Sequence, residues 1–134
     1  MHVSGNTNRI GAAQRRQIAA LLGELEPAVI YLFGSYGTVR EHPGSDLDLA
    51  VLPKSTIAPL VCFTTANRLA NLLGVAVDLI DLSRASTVLA KEVIRTGTPL
   101  VVVDPAACQS FEMRTLADYA RLNEERAPIL ASAP

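Results

Sequence analysis

Four short apolar runs, each separated from the next along the chain, most constrain what this sequence can fold into. They are rich in β-branched and aromatic residues and stop at glycine, proline or polar residues, which is typical of buried strands. The runs are residues 29–33, 47–52, 75–80 and 100–103. Because stretches with helical character lie between them, the pattern predicts a layered α/β or α+β domain with helices packed on a central sheet.

The stretches around these strands carry helical spacing and residues that begin or end helices. The predicted helices cover residues 10–25, 59–73, 86–96 and 106–126. Pro59 suits the first turn of its helix. Gly74 and Gly97 each lie just past a helix end, where glycine is favoured. Residues 36–45 are expected to form a loop that includes a short helical turn.

Length and composition limit the classes of protein to which the chain can belong. Its 134 residues fit a single domain over 1–134, with flexible ends expected at 1–8 and 128–134. The net charge of −1 argues against a strongly cationic nucleic-acid binder, so we expect no direct nucleic-acid binding. The polar N-terminus lacks the apolar run of a signal peptide. No apolar stretch approaches the ~20 residues that cross a bilayer. These features predict a cytoplasmic protein without membrane contact.

One segment combines a turn with paired acids. Gly34 and Ser35 end the first predicted strand, and after ten residues Asp46 and Asp48 open the second. Residues two apart in a strand point to the same face, so the two carboxylates project side by side. Hard divalent cations relieve their repulsion, and oxygen ligands suit Mg²⁺. Two such ions would clamp the attacking and leaving oxygens of a phosphoryl displacement.

Gly34 and Ser35 provide the features of a phosphate cradle. Backbone amides in a tight turn or at a helix start bind phosphate, and glycine allows a close approach. The Ser35 hydroxyl can donate a further hydrogen bond. A Gly-Ser turn or an Asp-X-Asp pair alone is common in proteins without such a site. Their combination across two buried strands indicates a nucleotide site with bound metal.

A third acid would complete the site, and two candidates lie in the third strand. Asp78 interrupts an otherwise apolar run, which is costly unless the side chain meets solvent, a partner or a metal. Asp81 stands at the strand end, where it can instead cap the following turn. We favour Asp78 as the third acid, acting partly as a general base toward the acceptor hydroxyl.

The run GSYGTVREHPGSDLDLAV resembles the signature of the DNA polymerase β-like nucleotidyltransferase superfamily. The small size, the strand VDLIDL and the terminal run DYARLNEERAPIL resemble the minimal nucleotidyltransferase (MNT, MntA-type) antitoxins that accompany HEPN-domain toxins. This resemblance implies a polymerase-β-like palm, an α/β (α+β) fold with a mixed four-stranded sheet flanked by helices. The acids would lie on the neighbouring second and third strands.

The resemblance also implies roles for individual residues. Asp46, Asp48 and Asp78 would be the catalytic acids and would hold two Mg²⁺ ions. Gly34 and Ser35 would bind the phosphates of ATP. The implied reaction is transfer of AMP from ATP to a hydroxyl, a tyrosine by the family pattern, of a partner HEPN ribonuclease toxin. Such a partnership allows for a hetero-oligomer.

The loop after Ser35 departs from the family pattern. Many relatives read Gly-Ser-x-Ala-Arg-Gly, whereas Gly37, Thr38 and Val39 stand in the last three places here. Arg40, one position later, is the candidate that replaces the missing basic residue. Two alternatives therefore remain beside the enzymatic antitoxin: an antitoxin that neutralises its toxin by binding alone, and a nucleotidyltransferase that acts on a small molecule.

Overall fold

The computed structural model describes residues 10–33 and 47–131 of the chain, with side chains described as far as Arg126. The helices are α1 (Ala12–Leu22), α2 (Pro59–Leu73), α3 (Thr87–Thr96) and α4 (Pro105–Ala131). The strands are β1 (Pro27–Phe33), β2 (Leu47–Pro53), β3 (Val77–Asp81) and β4 (Thr98–Val102), and a 3₁₀ turn (Gly23–Leu25) joins α1 to β1. The alternation predicted from the apolar runs is confirmed.

Local signals account for the ends of two helices. The Ser86 hydroxyl accepts a hydrogen bond of 3.1 Å from the amide of Leu89, which satisfies a free donor in the first turn of α3. Gly74 ends α2 in the left-handed region with φ of 73°, a conformation that glycine adopts without steric cost. α1 is shorter than predicted because its last expected turn winds as the tighter 3₁₀ turn.

The last helix is longer than the sequence predicts. We expected it to span roughly residues 106–126, but α4 continues to Ala131 and so includes Pro128. Proline removes one backbone donor from a helix, yet its fixed φ of about −65° is itself helical. The predicted end of the helix near Arg126 was therefore wrong. The flexible ends predicted at 1–8 and 128–134 stay a prediction, since residues 1–9 and 132–134 lie outside the described residues.

The four strands form one mixed sheet in the order β3-β2-β1-β4. β1 pairs antiparallel with both β2 and β4, whereas β2 pairs parallel with β3. A parallel pair needs a crossover connection, and α2 provides it between β2 and β3. The mixed four-stranded sheet and the adjacency of the second and third strands are both confirmed.

Helices cover both faces of this sheet, so the central strand β1 is buried along all seven residues. One face, here called the α1/α2 face, packs against Ile18, Leu22 and Leu69 and carries Ile30, Leu32, Leu49 and Val51. The other, the α3/α4 face, packs against Val93, Cys108 and Phe111 and carries Val29, Tyr31, Phe33 and Ala50. The alternation along each strand therefore decides on which face an acid lies.

A buried polar contact joins β1 to α4. The Tyr31 hydroxyl donates to the Glu112 carboxylate and lies 3.5 Å from Cys108 Sγ. Burial, followed by these two hydrogen bonds, raises the pKa of Tyr31 above its ordinary value. The contact fixes the first half of α4 against the middle of the sheet, two residues before β1 ends.

None of the helices in the described segments is both long enough and apolar enough to pass through a membrane.

Candidate active site

Asp48 and Asp78 are paired in register on the neighbouring strands β2 and β3. Each is the second residue of its strand. On the other side of Asp48, Phe33 is its partner at the end of β1. Register partners point to the same face of a sheet, so both acids lie on the α3/α4 face beside the end of β1. The two strands therefore bring together two of the three predicted catalytic acids.

The pair formed by Asp48 and Asp78 is largely buried in the protein. Asp48 is only 3% exposed, and Asp78 is half-buried. Two adjacent carboxylates repel each other when both are ionised, and this repulsion is strongest where water is excluded. A divalent cation between them relieves the cost, and their oxygen donors are of the type that Mg²⁺ prefers. The chemistry of the pair thus fits a magnesium site.

Four of the predicted site residues lie outside the described residues: Gly34, Ser35, Arg40 and Asp46. Across 10–33 and 47–131, no group of three or more metal-binding side chains is found. The structure does pair Phe33, which precedes Gly34 in the sequence, with Asp48, so the end of β1 and the start of β2 lie side by side. The roles predicted for these four residues stay predictions.

Asp81, the alternative third acid, holds the turn that follows β3. Its Oδ1 accepts hydrogen bonds from the Ser83 amide at 2.9 Å and from the Ser83 hydroxyl at 2.6 Å. Its Oδ2 lies 3.5 Å from Nε of Arg84, whose guanidinium also donates to the Ile57 carbonyl. Asp81 thus has the turn-capping role that the sequence offered as its alternative, and this supports Asp78 as the third acid.

A cavity of about 500 Å³ borders Asp78 and runs along β3, between α2 and the start of α3. We call it the edge groove because β3 is the last strand in the sheet order. Its lining is formed by Pro59, Cys62, Phe63, Ala66, Asn67, Val77, Asp78, Leu79, Ile80, Asp81, Arg84, Ala85 and Leu89. Apolar side chains dominate, and the charged or amide-bearing lining residues are Asn67, Asp78, Asp81 and Arg84.

The thiol of Cys62 reports the electrostatics inside the edge groove. Burial raises its pKa, and the negative charges of Asp81 and Asp78 raise it further. Cys62 Sγ also donates a hydrogen bond to the Leu79 carbonyl. Cys62 therefore stays a neutral thiol near pH 7, and the charge in the groove is carried by its acids and Arg84.

The edge groove was not predicted from the sequence, although α2 contains a signal for it. Its buried positions Thr65 and Leu69 form a narrow stripe, yet the first two turns also carry Leu60, Val61 and Phe63. A helix with one buried stripe needs no such additional apolar residues. Their excess could have indicated a second apolar surface next to the third strand.

The sequence matches the family described as "Polymerase beta, Nucleotidyltransferase" over residues 16–106. It is 38% identical over 102 residues to the protein adenylyltransferase MntA of Shewanella oneidensis, which covers 76% of this chain and 73% of that protein. The family match over residues 16–106 includes the strands β1 to β4.

Solved structures of toxin–antitoxin complexes contain chains with the same fold. A crystal structure of MntA–HepT matches with a TM-score of 0.74 and 32% identity, covering 90% of this chain and 97% of that one. A complex of the tri-AMPylated Shewanella oneidensis HEPN toxin with MNT antitoxin matches with a TM-score of 0.74 and 34% identity. The match covers 89% of this chain and 94% of that one. A toxin–antitoxin structure with AMP-PNP matches with a TM-score of 0.72 and 36% identity, covering 87% of this chain and 95% of that one. The chain therefore belongs to the polymerase β nucleotidyltransferase family and has its palm fold.

Proposed function

We propose that this chain transfers AMP from ATP to a tyrosine hydroxyl of a partner HEPN ribonuclease toxin and so acts as its antitoxin. The observation that carries the proposal is the register pairing of Asp48 with Asp78 beside the end of β1. The kinship with a protein adenylyltransferase and with an antitoxin bound to a tri-AMPylated HEPN toxin supports the choice of donor and acceptor.

Asp48 and Asp78, together with Asp46, are the residues that would hold magnesium. Two bound Mg²⁺ ions would neutralise the phosphates and stabilise the charge that develops in the transition state. Asp46 precedes β2 directly, two residues from Asp48, which suits a shared ligand set. Gly34, Ser35 and Arg40 would bind the phosphates of ATP. Because ATP and the toxin are intracellular, we place the reaction in the cytoplasm.

The reaction needs one nucleophile, one base and one leaving group. The tyrosine oxygen attacks the α-phosphorus of ATP and forms the new O–P bond. The bond between this phosphorus and the oxygen that bridges to the β-phosphorus breaks, and pyrophosphate leaves with the electron pair. Asp78 accepts the proton of the tyrosine hydroxyl. The products are tyrosine-linked AMP on the toxin and free pyrophosphate.

Intact mass spectrometry of the cognate HEPN toxin, incubated with this chain, ATP and Mg²⁺, tests the proposal. We expect the toxin to gain the mass of one or more AMP units, and the Asp46→Asn/Asp48→Asn double variant to abolish the gain. Glu24→Gln is the matched control, because it removes an acid that pairs with Arg68 on the surface, 54% exposed. It should transfer AMP at the wild-type rate.

An antitoxin that acts by binding alone is the second candidate, favoured by Gly37, Thr38 and Val39 in the loop. In that case the toxin mass stays unchanged while a stable complex forms. The Asp46→Asn/Asp48→Asn variant would then still neutralise the toxin, and this result would contradict the enzymatic proposal.

A further inference from the structure

The edge groove and the end of β1 lie on opposite sides of Asp48. The sheet order places β1, which leads into Gly34 and Ser35, on one side of β2. β3 and the groove lie on its other side. The end of β1 and the groove therefore flank the acids from two directions.

In-line transfer gives these two directions different roles. The attacking and leaving oxygens stand on opposite sides of the phosphorus. If the phosphates of ATP are held where β1 ends, pyrophosphate leaves on that side and the hydroxyl enters from the side of β3. The proposed base Asp78 borders the groove. A base has to lie within about 2.6–3.2 Å of the proton that it accepts.

We infer, on the basis of the proposed function, that the edge groove binds the segment of the HEPN toxin that carries the acceptor tyrosine. The tyrosine ring packs between Phe63 and Leu89, and its hydroxyl lies at Asp78. The groove thus selects a tyrosine in a protein chain as the acceptor and aligns it with the α-phosphorus of ATP.

The lining matches a side chain with an apolar body and one polar tip. The volume of about 500 Å³ falls within the ~300–1,000 Å³ range of ligand sites, which leaves room for a tyrosine and its neighbours. Phe63 offers an aromatic ring for offset or edge-to-face packing. Asp78 provides the polar end of the groove, so a tyrosine hydroxyl in the groove would lie beside the proposed base.

The rim of the groove is suited to the rest of a protein segment. Leu60 is 69% exposed and Phe63 is 63% exposed, and the two lie three positions apart on one side of α2. Contiguous large apolar side chains on a surface mark sites of protein interaction. Phe63 lines the groove and Leu60 neighbours it on α2, so residues that flank the tyrosine can pack on these two side chains.

Steady-state AMP transfer to the cognate toxin by Phe63→Ala and Leu72→Ala tests this assignment. Both side chains are more than half exposed on α2, so neither truncation opens the core, and Leu72 is not part of the lining. We expect Phe63→Ala to raise KM for the toxin about tenfold or more, as loss of a central aromatic anchor does. KM for ATP should stay unchanged, and Leu72→Ala should alter neither constant.

Two results would overturn the assignment. Equal effects of the two truncations would show that Phe63 has no special contact with the toxin. A rise in KM for ATP alone would show that the groove holds the adenine instead.

Photo-crosslinking separates this inference from the proposed function. With p-benzoylphenylalanine in place of Phe63, we expect a crosslink to the toxin peptide that carries the AMP-accepting tyrosine, and none to that peptide from position 72. If the wild-type chain transfers no AMP, the proposed function fails, and the crosslink still decides whether the groove holds a toxin segment. No crosslink at 63, or a crosslink to a peptide without tyrosine, contradicts the inference.

Discussion

Asp78 and Asp81 lie three positions apart on β3, so their side chains point to opposite faces of the sheet. Only Asp78 shares the α3/α4 face with Asp48, its register partner. Asp81 is engaged with Ser83 and Arg84 at the turn. The strand thus separates the proposed site acid, Asp78, from Asp81, which stabilises the turn.

The first prediction compares amide substitutions of these two acids. Asp78→Asn should lower the rate of AMP transfer by about 100-fold or more, because it removes a base and a metal ligand. Asp81→Asn should mainly weaken the turn, lowering the free energy of unfolding by about 1 kcal/mol. Transfer rates and urea unfolding of both variants provide the comparison. A larger rate loss in Asp81→Asn would assign the third acid to Asp81.

The second prediction concerns removal of the metal. Mg²⁺ with AMP-PNP, present at about ten times its Kd, should stabilise the chain by about 1.4 kcal/mol. For a domain of this size this is a rise in Tm of roughly 5 °C. EDTA should reverse it, and Asp48→Asn should abolish it. The Glu24→Gln variant should show the same rise in Tm as the wild-type chain. If Mg²⁺ with AMP-PNP leaves the Tm of the wild-type chain unchanged, the proposed magnesium site is contradicted.

The third prediction follows from the raised pKa of Tyr31. The folded chain keeps this hydroxyl protonated to higher pH than the unfolded chain does. Its contribution to stability is therefore complete below about pH 10 and is lost as the pH rises above that value. The loss should approach about 1.4 kcal/mol for each further pH unit. Tyr31→Phe should remove the contribution of this hydroxyl to the slope and leave the alkaline loss that comes from the raised thiol pKa of Cys62 and Cys108. It should also lower stability near pH 7 by about 1–2 kcal/mol, since Glu112 loses its donor.

Unfolding in urea between about pH 9 and pH 11 measures this slope. Tyr119→Phe is the control, because it keeps the ring that lies 4.7 Å from Nζ of Lys91. It should reproduce the wild-type slope. An unchanged slope in Tyr31→Phe would show that another group carries the alkaline loss.

The fourth prediction ranks alanine at three glycines. Gly23 has φ of −58° and free space around an added Cβ, so Gly23→Ala should stabilise the fold by about 0.4–1 kcal/mol. Gly74 has a positive φ, and its replacement should cost about 1 kcal/mol. At Gly97 the Cβ would lie 2.5 Å from the Val93 carbonyl oxygen and 3.3 Å from that of Leu32, so the cost should be about 2 kcal/mol or more. Thermal unfolding of the three variants measures their order of stability. A Gly97→Ala variant as stable as the wild-type chain would contradict the predicted order.

The sequence predicted those elements whose limits are set by local chemistry. α2 begins at Pro59 and ends before Gly74 as expected, and β2 starts at Leu47. β4 was expected from Leu100 but begins at Thr98. Its start is decided by pairing with β1, and a proline at position 99 is tolerated because β4 lies at the edge of the sheet.

The site was predictable to the extent that it depends on spacing along one strand. The adjacency of Asp48 and Asp78 came from the family resemblance, since their register depends on how α2 returns the chain. The edge groove was not predictable in the same way. The groove is formed by residues of α2, β3 and the start of α3 together. The sequence shows that a residue such as Phe63 is apolar, but it does not show which neighbours its side chain faces.

The sheet order also has a consequence for protein synthesis. β1 is complete only when β4 covers its second edge, although β4 follows it by more than 60 residues on the chain. A ribosome that has released residues 1–97 has translated every predicted site acid, yet the seven buried residues of β1 still lack one neighbouring strand. Truncated products are therefore expected to be inert, and under the proposed function they would leave the toxin active.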